Sequence, residues 1–116
     1  MHFRDMILEQ EGAKILVKIL NTTSSFETKK QGSWVLSNLC KGRPLPEYSK
    51  VKEIVPLFCS FLQNENDNEI LVDSAWGLSY LSEHSNNNQG VIPMGIIPTM
   101  LKHLELLFII LFLLTY

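Results

Sequence analysis

A chain of 116 residues, 46% of them apolar, is long enough for one domain with a core of its own. Two cysteines, Cys40 and Cys59, are too few and too widely spaced for a disulfide framework or a zinc site, and they fit apolar positions of a protein kept in a reducing compartment. The net charge of −2 is unevenly spread: residues 1–52 carry nine Lys/Arg against five Asp/Glu, whereas residues 53–101 carry six acids and no Lys or Arg, which argues against nucleic acid as a partner and leaves either solvated helix faces or an acidic patch suited to a basic ligand.

Residues 1–11 are charged throughout and carry no secretory signal. Residues 3–10 are predicted as a short helix, broken at Gly12, which lets the chain turn. Residues 13–21 fit an amphipathic helix with Ile15, Leu16, Ile19 and Leu20 on its apolar side. The polar residues 21–25 form a loop with candidate N-caps for the next helix, which runs to about Lys41 and carries Trp34, Leu36, Leu39 and Cys40. Gly42, Pro44 and Pro46 end it, because Gly adopts the left-handed cap and Pro cannot continue a helix. A helix from about Lys50 to Gln63 precedes the loop 64–67. Asp67 is the candidate N-cap of a helix ending near Glu83. Ser85–Asn88 is a polar connector, Gly95 takes the place of Gly12, and a third helix begins at Ile96 or Ile97. No segment alternates as a strand would.

Two of these helices repeat. Trp34-Val-Leu-Ser-Asn38-Leu and Trp76-Gly-Leu-Ser-Tyr80-Leu lie 42 residues apart. The same shift lays Val55–Leu62 over Ile97–Leu104 in one direction and over Ala13–Leu20 in the other, without a gap. A fixed period of about 40 residues is the signature of a helical solenoid, in which each unit buries its apolar face against its neighbours. The chain holds about two and a half such units, all helical. Helical spacing puts Trp34 with Asn38, and Trp76 with Tyr80, on one face each.

From Leu106 to Leu114 every residue is Leu, Phe or Ile, a run too short for an ordinary membrane-spanning helix even when counted from Leu104. It reads as a final helix awaiting a further unit, as a membrane-touching or aggregation-prone tail, or, the preferred reading, as a stretch foreign to the repeat. The repeat region is therefore placed at residues 1–105 and the apolar tail at 106–116.

The segments Ser33-Trp34-Val35-Leu36-Ser37-Asn38-Leu39-Cys40-Lys41-Gly42-Arg43-Pro44 and Asp73-Ser74-Ala75-Trp76-Gly77-Leu78-Ser79-Tyr80-Leu81-Ser82 resemble, in that order, the fourth and fifth armadillo repeats of the importin-α (karyopherin-α) family. The resemblance extends over residues 4–105 and ends there. It implies an all-α, right-handed armadillo solenoid that binds basic nuclear localisation signals, in the cytoplasm and the nucleus. Trp34, Asn38, Trp76, Asp73 and Tyr80 become the candidate peptide-binding residues. Tryptophan rings would flank the stems of peptide Lys or Arg residues. The Asn38 carboxamide, which both donates and accepts, would clamp the peptide backbone, and Asp73 would meet a charged tip. Tyr80 stands where the repeat pattern places Asn, as in the family, and marks a rung with weaker contacts. Gln31 stands where the second unit has Asp73, so the first unit offers a neutral group. Most of the family's major groove would lie before residue 1 and its second groove after the tail. The basic N-terminal segment through which the family binds importin-β has no counterpart here.

No catalytic residue, metal ligand or cofactor is expected. His84 and His103 have no Cys or carboxylate at metal-ligand spacing and read as surface or packing residues. Lys41 and Arg43 read as helix-end charges or as groups flanking the peptide. Phosphate-loop and paired-carboxylate patterns are missing, so an enzyme is not expected. Two rival readings stand beside import: a general armadillo scaffold indifferent to Lys or Arg, and a small membrane-associated protein built around the tail, although no membrane partner is expected.

Overall fold

The computed structural model of the chain describes residues 2–87 and Glu105. Gly95, the third predicted helix, His103 and residues 106–116 lie outside the described residues. The elements are α1 (His2–Glu9), α2 (Gly12–Thr22), α3 (Phe26–Cys40), α4 (Tyr48–Val51), α5 (Ile54–Asn64) and α6 (Asn68–Leu81), followed by a 3-10 segment, Ser82–Asn87. Two helical units result, α1–α2–α3 and α4–α5–α6, in the order of an armadillo solenoid, and no strand occurs among the described residues.

The turn between α1 and α2 differs from expectation. Glu11, not Gly12, takes the left-handed conformation, at φ 64°. Gly12 is already the first residue of α2. A Cβ there would lie 2.8 Å from the carbonyl oxygen of Ile7, so glycine serves close approach of α2 to α1 instead of the turn itself.

The inward face of α2 also differs. Ala13, Val17 and Leu20 are buried, Leu16 packs partly against them, and Ile15 and Ile19 remain 56% and 45% exposed. Their repeat equivalents 42 residues later, Leu57 and Phe61, are buried. The second unit has the first lying against it, with the Lys29 ammonium 5.8 Å from the centre of the Phe61 ring. The outer face of α2 has no such neighbour among the described residues. Equivalent positions in a repeat share a pattern but not a burial, because burial depends on the adjoining unit.

Helix α3 starts from Ser25, whose hydroxyl accepts the Thr28 N–H at 3.2 Å, and α6 from Asp67, whose carboxylate accepts the Ile70 N–H at 3.1 Å. Helix α3 ends at Cys40, and Gly42 takes φ 107°, as expected of a helix-ending glycine. The single helix expected from Lys50 to Gln63 is split into α4 and α5. Pro56 explains the break. In a continuous helix its ring would collide with the Lys52 carbonyl, and it has no N–H to give. Restarting at Ile54 puts Pro56 in a first turn, where no N–H is required, and the Lys52 carbonyl accepts from Val55 at 3.2 Å. Helix α6 ends at Leu81, two residues before the expected end, and the 3-10 segment takes up much of the expected connector.

One continuous core joins the units. Phe58, Leu36, Ile54, Leu62, Ile70, Leu78 and Leu81 are almost fully buried within it. Helices α3 and α6 lie side by side and run parallel, since Lys29 pairs with Glu65 at 2.6 Å and Lys30 with Glu69 at 3.3 Å, both at the N-terminal ends. Small residues are buried on both helices, Ser33 and Ser37 on α3 and Ser74 and Ala75 on α6. Behind α3, the loop after Cys40 is pinned from two sides. The buried Arg4 guanidinium donates to the carbonyls of Lys41 (3.0 Å) and Pro44 (2.8 Å). The buried His84 ring lies 2.8 Å from the Pro46 carbonyl and 3.2 Å from that of Leu81, beside the Tyr48 ring. His84 is thus a packing residue, and Arg43 pairs with Glu83 at 2.7 Å instead of capping α3.

Gly77 faces the Phe58 ring so closely that an added Cβ would overlap it. Gly77→Ala should lower stability by about 1–3 kcal/mol through overpacking, outweighing the roughly 1 kcal/mol that Ala gains over Gly in a helix. Thermal unfolding followed by circular dichroism measures this; a raised melting temperature would contradict the tight α5–α6 contact.

Candidate functional site

Residues four apart on a helix stack on one face. On α3 that spacing aligns Phe26, Lys30, Trp34 and Asn38, and on α6 it aligns Glu69, Asp73, Trp76 and Tyr80 at spacings of three or four. Parallel packing sets these two stripes beside each other. From the Lys30–Glu69 pair, Trp34 and Asp73 each follow one helical turn further along their own helix, about 6 Å on. Asn38 follows Trp34 by one further turn, and Trp76 and Tyr80 follow Asp73 along α6. All five residues expected at the site, Trp34, Asn38, Asp73, Trp76 and Tyr80, therefore share one surface of two adjacent helices.

That surface is open. Trp34 is 61% and Trp76 55% exposed, which removes both from the core, where an isolated tryptophan is more often found. Two large rings presented to water on neighbouring helices form an apolar surface rimmed by polar groups, the composition of a binding site. The Asn38 amide donates to the Trp34 carbonyl at 2.9 Å, which orients the carboxamide one turn beyond the indole and leaves its oxygen free to accept. Tyr80 stacks on Trp76 with ring centres 5.9 Å apart and planes at 24°, so one side of that indole is already occupied.

Along the entry and exposed face of α6, the acidic bias narrows to a single group. Glu65 is paired with Lys29, the Asp67 carboxylate caps α6, and Glu69 is paired with Lys30. Asp73 has no cation beside it among the described residues. Burial raises the Asp73 carboxyl above the ordinary aspartate range, and the neighbouring Glu69 and Asp67 add to the shift. It is the one acid on this face that a basic side chain would relieve. Sequence reasoning missed Phe26 and Lys30, although the four-residue spacing from Phe26 to Asn38 was the signal that would have found them.

Neither cysteine is set up as a nucleophile. Burial pushes the Cys40 thiol up to about 12 and raises that of Cys59, the opposite of what a nucleophile needs. Among the described residues no cluster of His, Cys, Asp or Glu is placed to hold a metal ion, and no helix is long and apolar enough to cross a membrane.

Because the folded chain binds the Asp73 proton more tightly than the unfolded chain, the ionised carboxylate costs stability above the raised pKa, and the cost disappears below the ordinary value of 3.8. Asp73→Asn should therefore raise the melting temperature at pH 7, by an amount that shrinks as the pH falls toward 3.8. Thermal unfolding of both chains at pH 7 and pH 4 checks this, and a difference independent of pH would assign the effect to packing.

The armadillo/beta-catenin-like repeat family matches residues 51–83, most of the second unit. Importin subunit alpha-2 of Arabidopsis thaliana is 34% identical over 103 residues, covering 88% of this chain and 19% of that protein. Importin subunit alpha-1b of Oryza sativa subsp. japonica is 33% identical over 100 residues, 85% of this chain and 18% of its own. The probable importin subunit alpha-A of Dictyostelium discoideum is 33% identical over 117 residues, 88% of this chain and 21% of its own. The chain thus spans about a fifth of the length of these relatives. With two helical units in register and this alignment along most of its length, the chain is an armadillo-repeat solenoid similar to a segment of the importin α subunits.

Proposed function

We propose that this chain acts in nuclear import as part of a cargo adaptor, binding basic nuclear localisation signals across α3 and α6. The observation that carries the reading is the pair of exposed indoles, Trp34 and Trp76, on adjacent parallel helices, with Asn38 and Asp73 on the same stripes. A lysine or arginine stem lying between the rings gains apolar contact and cation–π attraction. Asn38 offers an acceptor to a backbone N–H of the peptide, whatever its sequence. The carboxylate of Asp73 receives the charged tip, which offsets the like-charge crowding around it. Activity of this kind calls for no reacting group and no cofactor, and it belongs to the cytoplasm and the nucleus. Because affinity in a linear groove grows with the number of rungs engaged, this surface by itself binds a signal more weakly than a longer array would.

Trp34 and Trp76 are the two tryptophans of the chain, and both lie on the proposed surface, so emission reports binding directly. Titration with a lysine-rich signal peptide should give a saturable change at near-physiological salt. A charge-matched scrambled peptide should bind more weakly. Asn38→Ala should weaken binding by about fivefold, the worth of one hydrogen bond. Equal response to peptides with and without Lys or Arg would favour a general armadillo scaffold, and no response from a folded chain would remove the import reading from this surface.

A further inference from the structure

Lys30 occupies the kind of seat that the peptide-binding reading reserves for a ligand. Its ammonium lies 3.3 Å from the Glu69 carboxylate and 5.8 Å from the centre of the Phe26 ring. An acid on one side and an aromatic face on the other are the two interactions that a bound lysine would seek. The seat belongs to the groove, because Lys30 stands one turn before Trp34 on the same stripe, and Glu69 one turn before Asp73. It is also within reach of solvent, with the Glu69 side chain 67% exposed.

The neighbouring pair is different in kind. Lys29 and Glu65 meet at 2.6 Å with both side chains largely covered, and Lys29 also lies over Phe61 of the core. That pair staples one unit to the next. Nor is the Lys30 seat a general property of the repeat, since 42 residues later Asn68 and Val72 replace Phe26 and Lys30, without ring or charge.

We propose that Lys30 determines the charge specificity of this groove: as the chain's own occupant of the Glu69 seat, it lets the surface between Trp34 and Trp76 accept one basic side chain, at Asp73, and gives no advantage to a second at Glu69. The proposal rests on the peptide-binding reading. Its physical basis is an exchange without profit. A peptide lysine that displaced Lys30 would trade one ion pair for an equal one and would leave the Lys30 charge nearby. The hydrogen bond and charge of Glu69 also raise the Lys30 pKa, so the ammonium stays charged at neutral pH. A neutral or acidic peptide residue is therefore favoured beside Lys30.

The test walks a second lysine through the positions flanking a single lysine in an otherwise uncharged peptide, with affinity read from tryptophan emission. Three chains are compared: wild type, Lys30→Met, which keeps an unbranched stem without the charge, and Lys30→Met combined with Glu69→Gln. Lys30→Met should reveal a position at which the second lysine strengthens binding by about fivefold, the upper range for an exposed ion pair, where wild type gains less than twofold. Adding Glu69→Gln should abolish that gain. The proposal is overturned if wild type gains as much as Lys30→Met at every position, or if the gain survives Glu69→Gln. Should the single-lysine peptide bind in an Asn38-dependent way while Lys30→Met changes nothing, only this proposal falls. Should no peptide bind any of the three folded chains, the groove reading falls and the proposal with it.

Discussion

The close parallel packing of α3 against α6 is the constraint from which the proposed site follows. Small residues are buried on both helices, Ser33 and Ser37 on α3 and Ser74 on α6. Trp34 and Trp76 are more than half exposed, so their rings lie outside that packing. The ion pairs Lys29–Glu65 and Lys30–Glu69 tie the N-terminal end of α3 to the loop before α6 and to its first turn. From that end the two stripes run on in the same direction, Trp34 and Asn38 on α3, Asp73 and Trp76 on α6. Phe58 and Gly77 hold α6 from behind, so that the stripe rests on a filled core.

Most of the fold was legible because its determinants are local or periodic. Ser25 and Asp67 announce helix starts by their own chemistry, and both cap as expected. The 42-residue period carried the unit boundaries. Three features escaped for physical reasons. The left-handed residue at Glu11 is dictated by how closely α1 and α2 approach, and a glycine next door drew attention away from it. The α4–α5 break depends on where Pro56 falls within a turn, which apolar periodicity does not register. The exposure of Ile15 and Ile19 is a property of what stands beside α2, not of α2 itself.

The shared faces of the candidate residues were legible in their helical spacing, but their electrostatics were not. Six acids in a row of residues without Lys or Arg suggested an acidic patch. In the fold, lysines from the preceding unit reach across to Glu65 and Glu69, while Asp67 serves its own backbone. Charge counted along the chain therefore overstates charge offered at a surface whenever a neighbouring unit brings the opposite sign. Asp73 stands out only when every pairing is known. The stack of Tyr80 on Trp76 is similar in kind: the residue was readable as a departure from Asn, but not the contact that gives the second rung a covered side.

The loop after α3 has a meaning beyond holding its own shape. Arg4 reaches its carbonyls across 37 and 40 residues of sequence, and His84 reaches another across 38. Repeat arrays are held mainly by contacts between adjoining elements, which allows one unit to open while the next remains folded. Here three backbone acceptors at the junction are satisfied by side chains that come from opposite ends of the two-unit body. Opening either end strands polar groups at the junction, so the two units are tied by more than the packing of adjoining helices.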